Sequence, residues 1–457
     1  MALFRKSGKK LLPIAMVSAL AVGTLASGTP SIDAKVSPNQ GKIKNVIFMI
    51  GDGMGPAYNT AYRSFKDDPS TPYMENTAFD EYLVGMQETY PWDEEESITD
   101  SAAAATSMAA GIKTYNGAIS VDVNKNEVET VLEQAKEDGK ATGLVATSQV
   151  NHATPASFGA HDESRHNYNE IADDYIDEKI NGEPKMDVIL GGGTSYFERT
   201  DRDLTEEFQE EGFSYVTTRE ELENDNNEQV LGLFAPVGLD KAIDRPEEQP
   251  SLAEMTDAAL ERLTKDKDGF FLMVEGSQID WAGHDNDVVS AMSEMEDFEQ
   301  AFKKAIDFAK KDGQTLVITT ADHSTGGFAM GINGEYKWNP APLKAAKRTP
   351  DFMASKIAGG AAAEEVLEQY VDLDLTDKEI QSVADAAETY DVTTIDNAIE
   401  KIFDIRSGTG WTTGGHDGVD VNVYAYGPQA DKFVGLHDNH EVGQMVKDVL
   451  NNKRNKK

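Results

Sequence analysis

Acidic and imidazole side chains recur in this chain where strand-like runs end. Asp52 follows the apolar run 45–50, Glu275 follows 270–274, and the pair Asp322-His323 follows 315–319. The runs are short, apolar and partly β-branched, the pattern of buried parallel strands. In open α/β sheets the carboxyl ends of the strands form the ligand crevice. Carboxylates gathered there repel one another, and bound cations resolve the repulsion. Asp280 and His284 stand at i and i+4, so one helical turn aims both at a single ion. Gly414-Gly415-His416-Asp417 reads as a flexible loop that brings in a remote imidazole. Borderline metals such as Zn2+ take this mixture of nitrogen and oxygen donors.

A nucleophile for such a site is offered by residues 99–111, Thr-Asp-Ser followed by an alanine-rich tract that favours helix. Asp100 is suited to the N-cap, which puts Ser101 in the first turn. Free N–H groups and the positive end of the helix dipole favour anions there. A serine in that place can attack phosphorus once its proton is removed, yet no histidine lies near it in sequence. Read alone, the stretch also describes a capped, small-residue helix in a core. The ordered set of pieces argues for a site, since each piece by itself is weak.

Further candidate strands are 142–147, 186–190, 229–234 and 421–427, and helical patterns lie at 128–137, 169–180, 252–264 and 288–311. This alternation predicts an α/β fold: a doubly wound, mostly parallel sheet flanked by helices. Residues 328–411 break the rhythm with several helical stretches and no obvious strand. They read as an insertion capping the active-site edge of a domain spanning 45–450. Residues 201–227, rich in Glu, Asp and Asn, read as a solvated surface helix and loop. Met292, Met295, Phe298 and Phe302 have the spacing of a core stripe.

The chain has 457 residues, 39% hydrophobic and 27% charged. Residues 1–34 read as a removable signal peptide: Arg5, Lys6, Lys9 and Lys10 precede an apolar run, with Ile32-Asp33-Ala34 as a workable cleavage site. That run is too short to span a bilayer, so export without a membrane anchor is expected. Residues 35–44 form a linker and 451–457 a basic tail. Cysteine is absent, which excludes disulfides, thiolate metal sites and a lipid-modified cysteine. The net charge is -39; residues 1–34 carry four Lys/Arg and Asp33, a net +3, leaving -42 on the remainder. So acidic a surface disfavours nucleic acid and anionic membranes. An anionic substrate therefore needs a locally positive site.

Taken together and in order, Gly51-Asp52-Gly53-Met54-Gly55, Asp100-Ser101-Ala102, Glu275…Asp280…His284, Ala321-Asp322-His323 and Gly415-His416 make the chain resemble the secreted alkaline phosphatases of bacilli. The resemblance covers roughly Asn45 to the C-terminal helix. It implies an extracellular homodimer that hydrolyses phosphate monoesters at alkaline pH, with two Zn2+ and one Mg2+ per subunit. It makes Ser101 the nucleophile that becomes phosphoserine, and Arg165 the group that grips phosphate. It gives Asp280, His284 and His416 to a first zinc that activates water. Asp52, Asp322 and His323 go to a second that binds the Ser101 alkoxide, and Asp52, Thr154 and Glu275 to the magnesium-like site. Two metals about 3.5–4 Å apart can stabilise both attacking and leaving oxygens. Arg165 can donate two parallel bonds to phosphate.

Two positions depart from the enterobacterial branch of that family. His152 stands where that branch has Asp, and Trp281 where it has Lys. An imidazole in place of a carboxylate weakens a hard, oxygen-seeking magnesium site. The lost lysine removes a phosphate-bound charge. His161, His166, His437 and His440 are expected to be structural, with His437-Asp-Asn-His440 a loop capping the final helix. Sulfatases are disfavoured because Ser70-Thr-Pro-Tyr-Met74 lacks their arginine, and the mutases of this fold are cytosolic. A phosphodiesterase is the nearer rival. A capture module without turnover leaves Ser101 and the water-activating ligands unexplained.

Overall fold

The computed structural model describes residues 42–451. The predicted signal peptide, most of the linker and the basic tail beyond Asn451 lie outside them.

Ten strands form one sheet: β1 (Asn45–Gly51), β2 (Leu83–Glu88), β3 (Ala141–Gln149), β4 (Val188–Gly192), β5 (Ser214–Val216), β6 (Val230–Leu233), β7 (Phe270–Gly276), β8 (Thr315–Thr320), β9 (Val421–Tyr426) and β10 (Gly435–Asp438). Their order is β10-β2-β9-β8-β1-β7-β3-β4-β6-β5, and only β9 runs against the rest. Every residue of β1 is buried. Side chains alternate across a strand, so Ile47 and Met49 enter one core while Val46, Phe48 and Ile50 enter the other. Helix Val288–Asp312 covers the first face, and helices Ser101–Ala110, Ala153–Gly159 and Asn439–Leu450 cover the second. Met292, Met295, Phe298 and Phe302 lie in the first core, where Phe79 meets both phenylalanines.

Three strands escape the pattern read from the sequence. β2 and β10 pair with each other, and β5 lies at the opposite edge between two short helices. Residues 201–227 are therefore two helices with an edge strand between them, a correction to the solvated helix and loop. Gly85 permits the β2–β10 pairing, since a Cβ there would meet Gly435 O at 1.9 Å. The expected loop 437–440 is the end of β10 and the start of the last helix, where Asp438 and Glu441 form a capping box.

Residues 328–411 hold five helices, and Met353, Ile395, Ile399 and Phe403 join the first core. The segment also contains strand, contrary to expectation: Ala329–Met330 pairs with Thr409–Gly410. Its two ends are thus neighbours. A second ladder joins Ser324–Thr325 to His416–Asp417, so His416 is not on a free loop. Its backbone is fixed beside the residues that follow His323.

Helix Ser101–Ala110 is buried along its whole length. Asp100 caps it, accepting from Ala103 N at 2.9 Å, and Gly111 ends it with φ 73°. Its methyl side chains let neighbouring helices come close. A Cβ on Gly443 of the last helix would meet Met108 O at 2.5 Å and Ser107 O at 2.6 Å. Helix propensity alone makes Gly443→Ala stabilising by about 1 kcal/mol. The backbone clash outweighs this, and we expect a net loss of about 1–3 kcal/mol. Urea unfolding measures it; an unchanged or higher midpoint refutes the close-packing argument.

Candidate active site

β1, β7 and β8 are adjacent and parallel, and Ile50 pairs with both Glu275 and Thr320. This register brings Asp52, Glu275 and Asp322 out at one sheet edge. Gly53 N donates to Asp322 Oδ1 at 3.0 Å. Gly53 has φ 69°, and a Cβ there would lie 2.8 Å from Asp280 Cα. Glycine therefore lets the Asp52 turn reach the helix Gln278–Asp285. That helix presents Asp280 and His284 together, with Oδ2 and Nε2 3.3 Å apart.

The remaining imidazoles converge on the same point. His416 Nε2 lies 3.2 Å from His284 Nε2 and 3.6 Å from Asp280 Oδ1. The rings of His323 and His416 stack with centroids 3.5 Å apart. His323 Nε2 is 3.1 Å from Ser101 Oγ, 3.4 Å from Asp52 Oδ1 and 3.3 Å from Asp322 Oδ2. Ser101, without a histidine near it in sequence, thus meets one from the end of β8. Thr154 Oγ1 approaches Asp52 Oδ2 at 3.4 Å, and Ser148 Oγ approaches Glu275 Oε2 at 3.3 Å. A cleft of about 480 Å3 opens on the site, lined by Ile98, Thr99, Asp100, His284 and His416 among others.

Hydrogen bonding on the far side of each ring sets its tautomer. His284 Nδ1 donates to Gly414 O and His416 Nδ1 to Thr99 O, both at 2.8 Å. Thr325 donates its one hydroxyl proton to Asp280, so it accepts from His323 Nδ1 at 3.2 Å. Held through Nδ1, the three rings turn Nε2 toward one another and toward carboxylates, where each can offer a lone pair to an ion. Ordered tautomers of this kind accompany metal-binding histidines.

The carboxylates make the same point. Burial first, then Asp280, Asp322 and Glu275, push Asp52 far above the usual carboxyl range. Burial likewise takes Asp322 to about 8 and Glu275 to about 7. Burial also raises Asp280, but the bond from His284 and the surrounding imidazoles bring it below the ordinary value. Asp52 Oδ1, Asp322 Oδ2 and Glu275 Oε1 have no hydrogen-bond partner. Donor atoms from Asp52, Asp322 and His323 lie within 4.8 Å of one another, as do those of Asp280, His323 and His416, and of Asp52, His152 and Glu275. A divalent cation suits each group.

His152, Arg165 and Trp281 form the flank. Arg165 donates to Asp100 Oδ2 at 2.9 Å and to His152 Nε2 at 3.3 Å. Burial lowers Arg165, but Asp100 outweighs it and holds the guanidinium above its ordinary value. Burial and then Arg165 push His152 down to about 3, so it is neutral. Trp281 stands edge-on to His152 with centroids 5.8 Å apart. Thr325, Ser148 and the partnership of Asp100 with Arg165 were not found from sequence. Only the nearness of Thr325 to Asp322-His323 offered a signal.

A profile of the alkaline phosphatase family matches residues 43–452. The chain is 62% identical to alkaline phosphatase 3 of Bacillus subtilis over 97% of both chains. It belongs to the alkaline phosphatase family. The solved cold-active enzyme of a psychrophilic Shewanella is 43% identical with a TM-score of 0.84, covering 89% of this chain and 99% of that one. A histidine-to-glutamate variant of the enzyme from the Antarctic bacterium TAB5, solved with Mg in its M3 site, is 31% identical with a TM-score of 0.66, covering 90% and 98%. The protein is thus a phosphoric monoester hydrolase of a generally metal-dependent family. No helix among the described residues is long and apolar enough to cross a membrane.

His161 lies elsewhere, 3.5 Å from both Glu133 and Glu178. Burial lowers it, but these two carboxylates prevail and raise it to about 9. A base raised on folding stabilises fully below its unfolded value and loses that contribution as pH rises through the folded one. From about pH 6.5 to 9 the protein should lose up to about 3 kcal/mol that His161→Gln does not lose. Urea midpoints of both proteins across this range give the difference; parallel profiles refute it.

Proposed function

We propose that this hydrolase works outside the cell at alkaline pH, through a phosphoserine on Ser101 and with two Zn2+ and one Mg2+. The observation that carries the reading is Ser101 Oγ at 3.1 Å from His323 Nε2, at a capped helix N-terminus beside unpartnered carboxylates. As an isolated pair, Ser101 and His323 would suggest a histidine base. The same Nε2 also faces two carboxylates, an arrangement better suited to a cation than to proton storage. Asp280, His284 and His416 would hold one zinc, and Asp52, Asp322 and His323 the other. Asp52, Thr154 and Glu275 would hold magnesium, with His152 close by. Bound there, the metals supply charge neutralisation and lower the pKa of a coordinated hydroxyl.

The chain's own groups then do the rest. Ser101 Oγ attacks phosphorus as the ester oxygen leaves opposite it. The helix N-terminus and the Arg165 guanidinium receive the phosphoryl oxygens, and Arg165 is already oriented by Asp100. Water later takes the phosphoryl group from Ser101. Export is supported by the basic and apolar composition of residues 1–34, and the homodimer by family resemblance.

Purified enzyme should hydrolyse p-nitrophenyl phosphate near pH 9–10, lose activity on chelation and regain it with zinc. Ser101→Ala should cut turnover about a thousandfold or more. Activity that survives thorough chelation overturns the metal assignment. A matched diester cleaved faster than the monoester would favour a phosphodiesterase.

His152 gives a separate test. The TAB5 variant with a histidine replaced by glutamate was solved with Mg in its M3 site, and in this chain His152 is the histidine grouped with Asp52 and Glu275. Neutral imidazole is a poor ligand for hard magnesium. His152→Asp should lower the magnesium concentration for half-maximal activation by about tenfold or more. Full activity of the wild-type protein with zinc alone refutes the weak third site.

A further inference from the structure

Outside the active site lies another group of carboxylates, two of them buried. Asp285 ends the helix that carries Asp280 and His284, while Asp396 and Glu400 stand at i and i+4 on helix Val392–Ser407. One oxygen from each lies within 4.8 Å of the others. Asp396 and Glu400 are only 3% and 5% exposed. Asp396 Oδ1 and Glu400 Oε1 have no hydrogen-bond partner.

Neighbouring acids are otherwise engaged. Asp287 accepts from the N–H groups of Val289 and Ser290, and Asp404 accepts from Trp411 Nε1 at 3.1 Å. Lys241 offsets part of the charge from a distance, while Asp351 adds another carboxyl beside Asp285. Burial and then the nearby carboxylates raise Asp396 to about 9 and Glu400 to about 11. Two buried acids, each with an unpartnered oxygen, standing against a third acid make a group with its counter-charge missing.

We infer that Asp285, Asp396 and Glu400 hold a hard divalent cation of the calcium type, at a site separate from the phosphate-ester site. The donors are all oxygen, without the nitrogen that suits zinc. Calcium bonds of about 2.3–2.6 Å let ligands lie up to about 5 Å apart across the ion. Magnesium, at about 2.0–2.1 Å, demands a tighter octahedral cage. Asp285, partly exposed, gives the ion a way in. Calcium there ties the last turn of the His284 helix to the 328–411 segment without touching substrate. The inference does not depend on the proposed phosphoserine chemistry.

Equilibrium dialysis with labelled calcium, on full-length enzyme kept in saturating zinc and excess magnesium, tests it. Wild type should take up one calcium per chain that Glu400→Gln and Asp396→Asn both lose. Calcium should also raise the unfolding temperature of wild type by a few degrees and leave both variants unmoved. No calcium uptake by wild type overturns the site, as does equal uptake by all three proteins. Should either variant fail to fold, wild-type uptake against excess magnesium decides alone. Variants that are more stable than wild type, with no calcium effect on any protein, would mark a cluster of protonated acids instead.

Discussion

The crowding of negative charge at the ends of three adjacent parallel strands governs this molecule. The pairing of Ile50 with Glu275 on one side and Thr320 on the other leaves Asp52, Glu275 and Asp322 no room to separate. Two unit charges about 4 Å apart interact by about 4 kcal/mol at an effective dielectric of 20. A hydrogen bond to a charged group returns only about 1.5–3 kcal/mol. The bonds from Gly53 N and His323 N to Asp322 and the long contacts from Thr154 and Ser148 do not balance several such pairs. Protons or cations must do so. The rings of His284, His323 and His416, each fixed through Nδ1, favour cations because they turn their Nε2 atoms toward the same place.

The same constraint reconciles the charge of the chain with its substrate. A net charge of -39 repels a phosphate ester at long range. The arginine on the flank is already bonded to Asp100, so by itself it offers limited positive potential. Ions held by otherwise unpaired carboxylates would reverse the local sign. Acidity elsewhere can then serve solubility without closing the site to anions.

Much of this was legible in the sequence because burial on both faces leaves a strong signature. β1, β7 and β8 are fully buried, largely apolar runs, and an acid at the end of each run is easily seen. Asp100 and Ser101 were legible because capping is a local property of a few residues. The edge strands were not. β2, β5 and β10 are short, half-exposed or polar, and are held by backbone pairing that leaves little mark on residue type. Gly414-Gly415-His416 looked like a free loop because its partner strand, Ser324–Thr325, is two residues long. Thr325 was missed because a hydroxyl that orients another ligand has no spacing rule.

The site is also a statement about folding. Its donors come from chain segments near residues 52, 152–154, 275–284, 322–323 and 416, and the bond from His416 to Thr99 O spans 317 positions. No short piece of chain contains a complete set, so an unfolded chain has little affinity for the ions. Cations that bind only the assembled edge stabilise the whole fold by mass action. The rigid supports have the same logic. A buried alanine-rich helix packed on Gly443 cannot shift without moving Ser101, and Gly53 fits no side chain between Asp52 and Asp280. Close packing thus holds charges near one another against their repulsion, and ions that relieved this repulsion would reinforce the packing.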